Sequence, residues 1–241
     1  MNSLRALLAS AVTLGLVSAA LPAAAIPPAG VGLRLGVASA TIRGDHVDPV
    51  AVGTRTGFAE AMFARIRLSR WFSIQPELGW ASKGNEGDIA VEVTTTSGPI
   101  LRETWNIHFE TRLDYVEIPA LLRLDVPTGS FFEPYVLAGP EVAIRTGSSR
   151  DFGVQTVPTP SANTGVQMAN IFEEVGTFDH PEFENFDWSL IAGGGLTLGR
   201  GSLRVVLDSR YALGMAGIYP GIDRSWGHNE AWITTLGIEL R

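Results

Sequence analysis

The chain has 241 residues, no cysteine and a formal net charge of −7. That length suits one domain, the missing cysteines exclude both a disulfide-stapled module and a lipidated N-terminal cysteine, and the acidic balance argues against nucleic acid as a partner. Hydrophobic residues make up 45%, yet beyond Ala25 no apolar run is long enough for a spanning helix. Two classes remain: a water-soluble β fold, or a barrel that is apolar only on its outside.

Residues 1–25 read as a secretory signal peptide. Arg5 supplies the positive n-region, 6–21 the apolar stretch, and Pro22 with Ala23, Ala24 and Ala25 a small-residue cleavage site. The remaining 26–241 is expected to form one domain. Its first strand, 31–42, alternates Val31, Leu33, Leu35 and Val37 with a set containing Arg34, the period of a two-faced strand. The second, 55–69, opposes Phe58, Met62, Ala64, Ile66 and Leu68 to Arg65 and Arg67. After a tight turn at Ser69 and Arg70, the third opposes Phe72, Ile74, Leu78 and Trp80 to Ser73, Gln75 and Glu77.

Residues 84–112 are more polar, but 89–96 and 101–109 are β-rich around Ser97, Gly98 and Pro99, which predicts a hairpin carrying strands three and four outward. Strand four sets Val116, Ile118, Ala120, Leu122 and Leu124 against Tyr115, Glu117, Leu121 and Arg123. The turn at 126–130 leads to strand five, 131–146, with Phe132, Val136, Ala138, Val142 and Ile144 against Glu133, Tyr135, Glu141 and Arg145. Residues 147–185 read as one long irregular loop. Strand six, 186–198, strand seven with Leu203, Val205 and Leu207 against Arg204, Asp208 and Arg210, and strand eight with Trp232, Leu236, Ile238 and Leu240 against Glu239 complete the set.

Short connections alternate with long ones, the plan of a small outer-membrane barrel with short periplasmic turns and long external loops. The predicted fold is therefore all-β, an eight-stranded antiparallel up-and-down transmembrane β-barrel. Aromatics support this: Trp71, Phe72, Phe131 and Phe132 lie by short turns, and Trp80, Phe186, Trp188 and Trp232 by long loops, as two interfacial girdles would require. In such a barrel the residues opposite the apolar rows face a lumen barely wide enough for side chains. They are Arg34, Arg65, Arg67, Glu77, Glu117, Arg123, Glu133, Glu141, Arg145, Arg204, Asp208, Arg210 and Glu239. Unpaired buried ions are costly, so this near-neutral set is expected to form a luminal charge network. In a soluble sandwich the same residues would be a solvated surface.

Three stretches carry a resemblance: Ser73-Ile74-Gln75-Pro76-Glu77-Leu78 with Lys83-Gly84, then Leu113-Asp114-Tyr115-Val116-Glu117-Ile118-Pro119-Ala120-Leu121-Leu122-Arg123, and Pro134-Tyr135-Val136-Leu137-Ala138-Gly139-Pro140. Together they resemble the PorT-like outer-membrane β-barrel family of Bacteroidetes and related Gram-negative bacteria. The resemblance implies an eight-stranded outer-membrane barrel and no assigned activity. Such barrels commonly end in an aromatic residue, whereas here the last residue is Arg241. Pro76, Pro119 and Pro140 each remove a ladder donor, and bulges are expected to accommodate them.

Candidate chemistry is sparse. His46, His108, His180 and His228 all fall on the long-loop side, but their separations match no tight ligand spacing, so solvated histidines and no metal are expected. Glu173, Glu174, Asp179, Glu182, Glu184 and Asp187 crowd one loop without a calcium-loop pattern. Ser148 or Ser149 with His180 lacks a nucleophile elbow. Neither a catalytic residue nor a cofactor is expected. The functional expectation is a non-enzymatic outer-membrane protein with a plugged polar lumen, using its long loops for binding or envelope organisation. Its expected partners are outer-membrane lipids including lipopolysaccharide, the barrel insertion machinery, and an extracellular ligand or envelope protein. A membrane-embedded lipid-modifying enzyme and a small-solute pore are the alternatives.

Overall fold

In the computed structural model the described residues are 30–45, 53–95, 101–158, 171–178, 183–221 and 224–241. The predicted signal peptide, 1–25, lies outside them. Among the described residues nine strands follow in chain order: β1 Gly30–Arg43, β2 Arg55–Arg67, β3 Phe72–Thr95, β4 Leu101–Asp125, β5 Phe132–Pro158, β6 Ile171–Phe178, β7 Phe186–Leu198, β8 Leu203–Gly214 and β9 His228–Leu240. Eight of them close a ring in the order β4-β3-β2-β1-β9-β8-β7-β5, sealed by β4–β5 pairing. Every pairing is antiparallel. Closure is what allows sheet backbone to cross hydrocarbon, because no strand edge then exposes unpaired N–H or C=O groups to lipid.

Alternation decides which side of the wall each residue takes. The apolar rows face out: Leu35 is 55% exposed, Leu122 51%, Val136 56% and Leu236 59%, while the ionic residues between them are buried. The short connections are built for tightness. Ser69 Oγ accepts from the Trp71 and Phe72 amides, the Thr128 hydroxyl donates to the Phe132 carbonyl, and Gly199 and Gly201 take φ of 119° and 104°, values favouring glycine. Outward aromatics form two belts. Trp71, Phe72, Phe131 and Phe132 ring the short-turn end. Near the long connections Phe58 lies 6.3 Å from Trp80 and Tyr211 5.9 Å from Trp232, with Phe186 and Trp188 exposed between.

Two expectations are corrected. Residues 147–185 are not one irregular loop: β5 runs on to Pro158 and β6 pairs with its far half, from Arg150↔Phe178 to Thr156↔Ile171. With the predicted hairpin, paired from Gly84↔Arg112 to Thr95↔Leu101, this continues the wall as a four-stranded sheet beyond the aromatic belt. The prolines, too, are accommodated without bulges. Around Pro76 the β2–β3 ladder passes from Phe63↔Glu77 to Ile66↔Ile74 with the register unchanged, and around Pro140 the β4–β5 ladder passes likewise from Pro119↔Glu141 to Leu122↔Ala138. The missing donor costs local pairing but shifts no side chain to the other face. The register shifts lie elsewhere, at Asp114/Tyr115 and Phe152/Gly153.

Candidate functional site: the charged barrel interior and its mouth

Inward side chains from all eight ring strands meet in tiers. Nearest the short turns, Arg65 reaches Glu239 at 2.5 Å and Asp125 at 3.5 Å, Arg123 holds Asp125 at 2.8 Å, and Glu133 joins Arg204 at 2.7 Å to Arg241 at 2.9 Å. Arg241 also reaches Glu239 at 3.0 Å. Arg65, Arg123 and Glu239 have no exposed surface.

The central tier turns on Glu77. Its Oε2 lies 2.5 Å from Arg34 and 2.9 Å from Arg210, while Gln75 donates to Oε1 at 2.7 Å. Arg210 is completed by Asp208 at 2.6 Å, whose other oxygen accepts from the Tyr135 hydroxyl at 2.7 Å. The Arg123 guanidinium lies 3.5 Å from the Tyr135 ring centre and donates to Gln75 and Thr197. Gly195 makes room for this: a Cβ there would sit 2.5 Å from the Tyr135 hydroxyl. Charge, hydrogen bond and π face are shared within one cross-section, the arrangement in which buried ions remain tolerable.

Toward the long connections the composition changes. Lys83 lies 2.6 Å from Glu117 and 3.3 Å from Glu141, and Ser189 donates to Glu141 at 2.8 Å. Asn229 bridges Asp187 and the Tyr115 hydroxyl at 3.0 and 3.1 Å. The Asp187 Oδ1 and Asn229 Oδ1 atoms are buried without a hydrogen-bond partner. Above them Ile42, Leu113, Tyr115, Ala143, Phe183 and Ile218 form a buried apolar cluster at the mouth, with Tyr219 packed against it. Phe183 and Ile218 come from the connections. They are fixed by backbone: Glu184 N donates to Ile218 O at 2.8 Å and Ile218 N to Gly227 O at 2.9 Å. Arg145 clamps the same segment, donating to the carbonyls of Phe183 and Glu184 and to Asn185 Oδ1 at 2.8–3.1 Å.

Of the thirteen residues singled out from the sequence, nine are buried inside: Arg34, Arg65, Glu77, Glu117, Arg123, Glu141, Asp208, Arg210 and Glu239. Glu133, Arg145 and Arg204 are half-buried at the rims. Two assignments need correcting. Arg67 is exposed, because β2 ends there and the face it shares with Arg65 opens to solvent. Arg145 meets carbonyls and a hydroxyl instead of a carboxylate, since it sits above the ionic tiers where loop backbone is the available acceptor. Sequence reasoning missed Lys83, Arg55, Asp125 and Asp187. Arg55 and Asp187 fell near the start of the predicted strands 55–69 and 186–198, while Asp125 and Lys83 stood just past the alternating rows of strands four and three, although their inward parity continues those strands. Asp187, expected in the acidic loop, turns inward.

Among the described residues the other candidate chemistry is not brought together. His108 pairs with Asp88 at 2.8 Å, and His228 contacts Arg224 and Glu230; His46 and His180 lie outside the described residues. Among the described residues no three His, Asp or Glu side chains are arranged to hold a metal ion. Ser148 Oγ accepts from Arg145 at 2.8 Å, its imagined partner His180 being undescribed. Asp179 and Glu182 are likewise outside, and Glu173 and Glu174 fall within β6.

A family model described as outer membrane protein beta-barrel domain matches residues 27–219. Among solved structures, the chain is similar to neisserial surface protein A, with 12% identity and a TM-score of 0.40 over 87% of this chain and 96% of that one. It is also similar to Ail, the attachment invasion locus protein of Yersinia pestis, with 9% identity and a TM-score of 0.39 over 89% and 100%. No curated protein matches the chain.

Proposed function

Since the chain belongs to the outer membrane protein beta-barrel domain family and its greasy face points outward, we propose that it acts non-enzymatically, as a closed scaffold displaying a binding sheet outside the outer membrane of a Gram-negative cell. The PorT-like motifs, export by a signal peptide cleaved after Ala25, and assembly by the barrel insertion machinery belong to the same reading. The observation that carries it is the continuation of β3, β4, β5 and β6 beyond the aromatic belt. In this reading the tiers and the Phe183/Ile218 cap plug the barrel, so passage of solute is not its work. Function then falls to the protruding sheet, where β6 ends the strand order and offers a main-chain edge of the kind that captures an extended segment of a partner. Lipopolysaccharide around the barrel, and an extracellular ligand or another envelope protein at the sheet, are the partners this layout suits.

Deletion of residues 156–182 tests it. The expected result is loss of cell-surface or envelope-protein binding, while the barrel keeps its different electrophoretic mobility with and without boiling. Unchanged binding after the deletion would refute the proposal. Altered acyl chains on lipopolysaccharide or phospholipid after incubation with the purified protein would refute the non-enzymatic part.

A further inference from the structure

On the outer wall, β1, β2, β3 and β9 enclose a groove of about 440 Å³ lined by apolar side chains that include Val31, Leu33, Met62, Ala64, Leu78 and Ile238. Its origin is local. Pro76 leaves the β2–β3 ladder unpaired between Phe63↔Glu77 and Ile66↔Ile74, and opposite that gap the outward row of β2 carries only the methyl of Ala64. The groove lies toward the short-turn end, for Ala64 pairs with Val31 and Val31 with Leu240, the last residue of β9. Three residues beyond Ala64, about 10 Å along an extended strand, β2 ends at Arg67.

Arg67 and Arg70 of this turn are exposed, and among the described residues neither has a carboxylate partner. Arg70 lies 5.9 Å from the ring centre of Trp71, itself 46% exposed in the aromatic belt. The other short turns differ: 126–130 has no cation and 199–202 only Arg200. An apolar slot, an interfacial tryptophan and two exposed guanidiniums thus follow one another along one stave of the barrel, Arg70 in the turn and Arg67 at the open rim where the inward face it shares with Arg65 ends. That is the order of chain, glycerol level and phosphate in a phospholipid, with tryptophan favouring the headgroup level and guanidinium matching phosphate oxygens in a bidentate fork.

We propose that this stave is a binding site for an anionic phospholipid of the leaflet facing the short turns, one acyl chain in the groove and the phosphate on Arg67 and Arg70. It rests on the membrane orientation proposed above but not on the external sheet. The test is native mass spectrometry of the full detergent-extracted barrel with phosphatidylglycerol or phosphatidylcholine added. The wild type should retain one phosphatidylglycerol through delipidation and release phosphatidylcholine. R67Q/R70Q should lower phosphatidylglycerol retention about tenfold, the equivalent of one charge-assisted hydrogen bond, and R200Q should not change it.

Ala64→Phe, which fills the slot, should weaken phosphatidylglycerol retention with both arginines in place. Equal retention of the two lipids by the wild type, an R67Q/R70Q variant indistinguishable from it, or an equal loss in R200Q would overturn the proposal. So would a protein dimer in place of the lipid adduct, since the groove would then be a contact between copies. Both arginines are exposed, so R67Q/R70Q should fold, as heat-dependent electrophoretic mobility would show, even if the Ala64 variant does not. Survival of lipid retention alongside failure of the 156–182 deletion test would separate this site from the external binding role.

Discussion

From the short turns to the centre of the barrel, buried arginine and carboxylate are matched one for one: Arg34 and Arg210 share Glu77, Arg210 also has Asp208, Arg65 has Glu239, and Arg123 has Asp125. Under the long connections a single lysine, Lys83, serves Glu117 and Glu141, with Asp187 held by the amide of Asn229. The first region is held by multi-donor guanidiniums whose geometry is set from several strands at once. The second is packed with apolar side chains delivered by loops. The same narrow interior is therefore filled in two ways, one ionic and built from the strands, the other dependent on segments between them. Mutations should separate them by both size and kind of effect.

The largest effect is expected at the centre of the ionic region. Glu77→Ala takes the carboxylate from the buried Arg34 and leaves Arg210 with Asp208 alone, and breaking a buried pair costs about 3–5 kcal/mol. A denaturant midpoint for the barrel folded into vesicles measures it, the whole transition shifting as one. A loss within about 0.5 kcal/mol, the range of surface substitutions, would mean that the tier is hydrated.

At the mouth, Phe183→Ala removes a ring that is 3% exposed, packed 5.6 Å from Tyr219 and 5.3 Å from the Arg150 guanidinium. Truncation of a buried phenylalanine costs about 3 kcal/mol, but here the loss should be local. Hydrogen exchange is expected to rise in 183–185 and 215–219, with the barrel strands as protected as before. A cooperative shift of the entire barrel would erase the distinction between the regions.

Arg145→Ala probes the clamp on the same segment. Each charge-assisted hydrogen bond it loses is worth about 1.5–3 kcal/mol in a buried setting, and less here because Arg145 is only half-buried. About 2 kcal/mol of local stability should disappear, read as faster protease cleavage near Asn185 with unchanged heat-dependent mobility. Cleavage at the wild-type rate would show that the Glu184–Ile218 backbone bond holds the segment alone.

The ionic region was largely legible in the sequence and the mouth was not, for a physical reason. Period-two alternation fixes the face of every residue in a straight strand, so Glu77, Arg210 and Glu239, and at the mouth Glu117 and Glu141, could be assigned inward without knowing a single partner. Alternation says nothing about where a strand stops. Lys83 was lost because Gly84 looks like a loop start, although the ladder continues through it with φ of 125°. Phe183 and Ile218 carry no periodic signal at all. Their burial follows from backbone contacts between two connections, which only the folded chain brings together.

The smallest effect is expected where one rule gave two different answers. Arg65 and Arg67 share a face of β2 by parity, yet Arg65 has no exposed surface and Arg67 is exposed. Two residues advance a strand by about 6.6 Å, enough here to leave the enclosed tier for the rim. Arg65→Ala should cost about 3 kcal/mol, the low end for a broken buried pair, because it leaves the buried Glu239 with Arg241 alone at the rim. Arg67→Ala should stay within about 0.5 kcal/mol, while still weakening phospholipid retention if the outer groove is occupied. Measured side by side in vesicles, the two substitutions mark the depth at which the ionic region ends. A large cost at Arg67 would extend that region to the turn and withdraw the guanidinium from the lipid site.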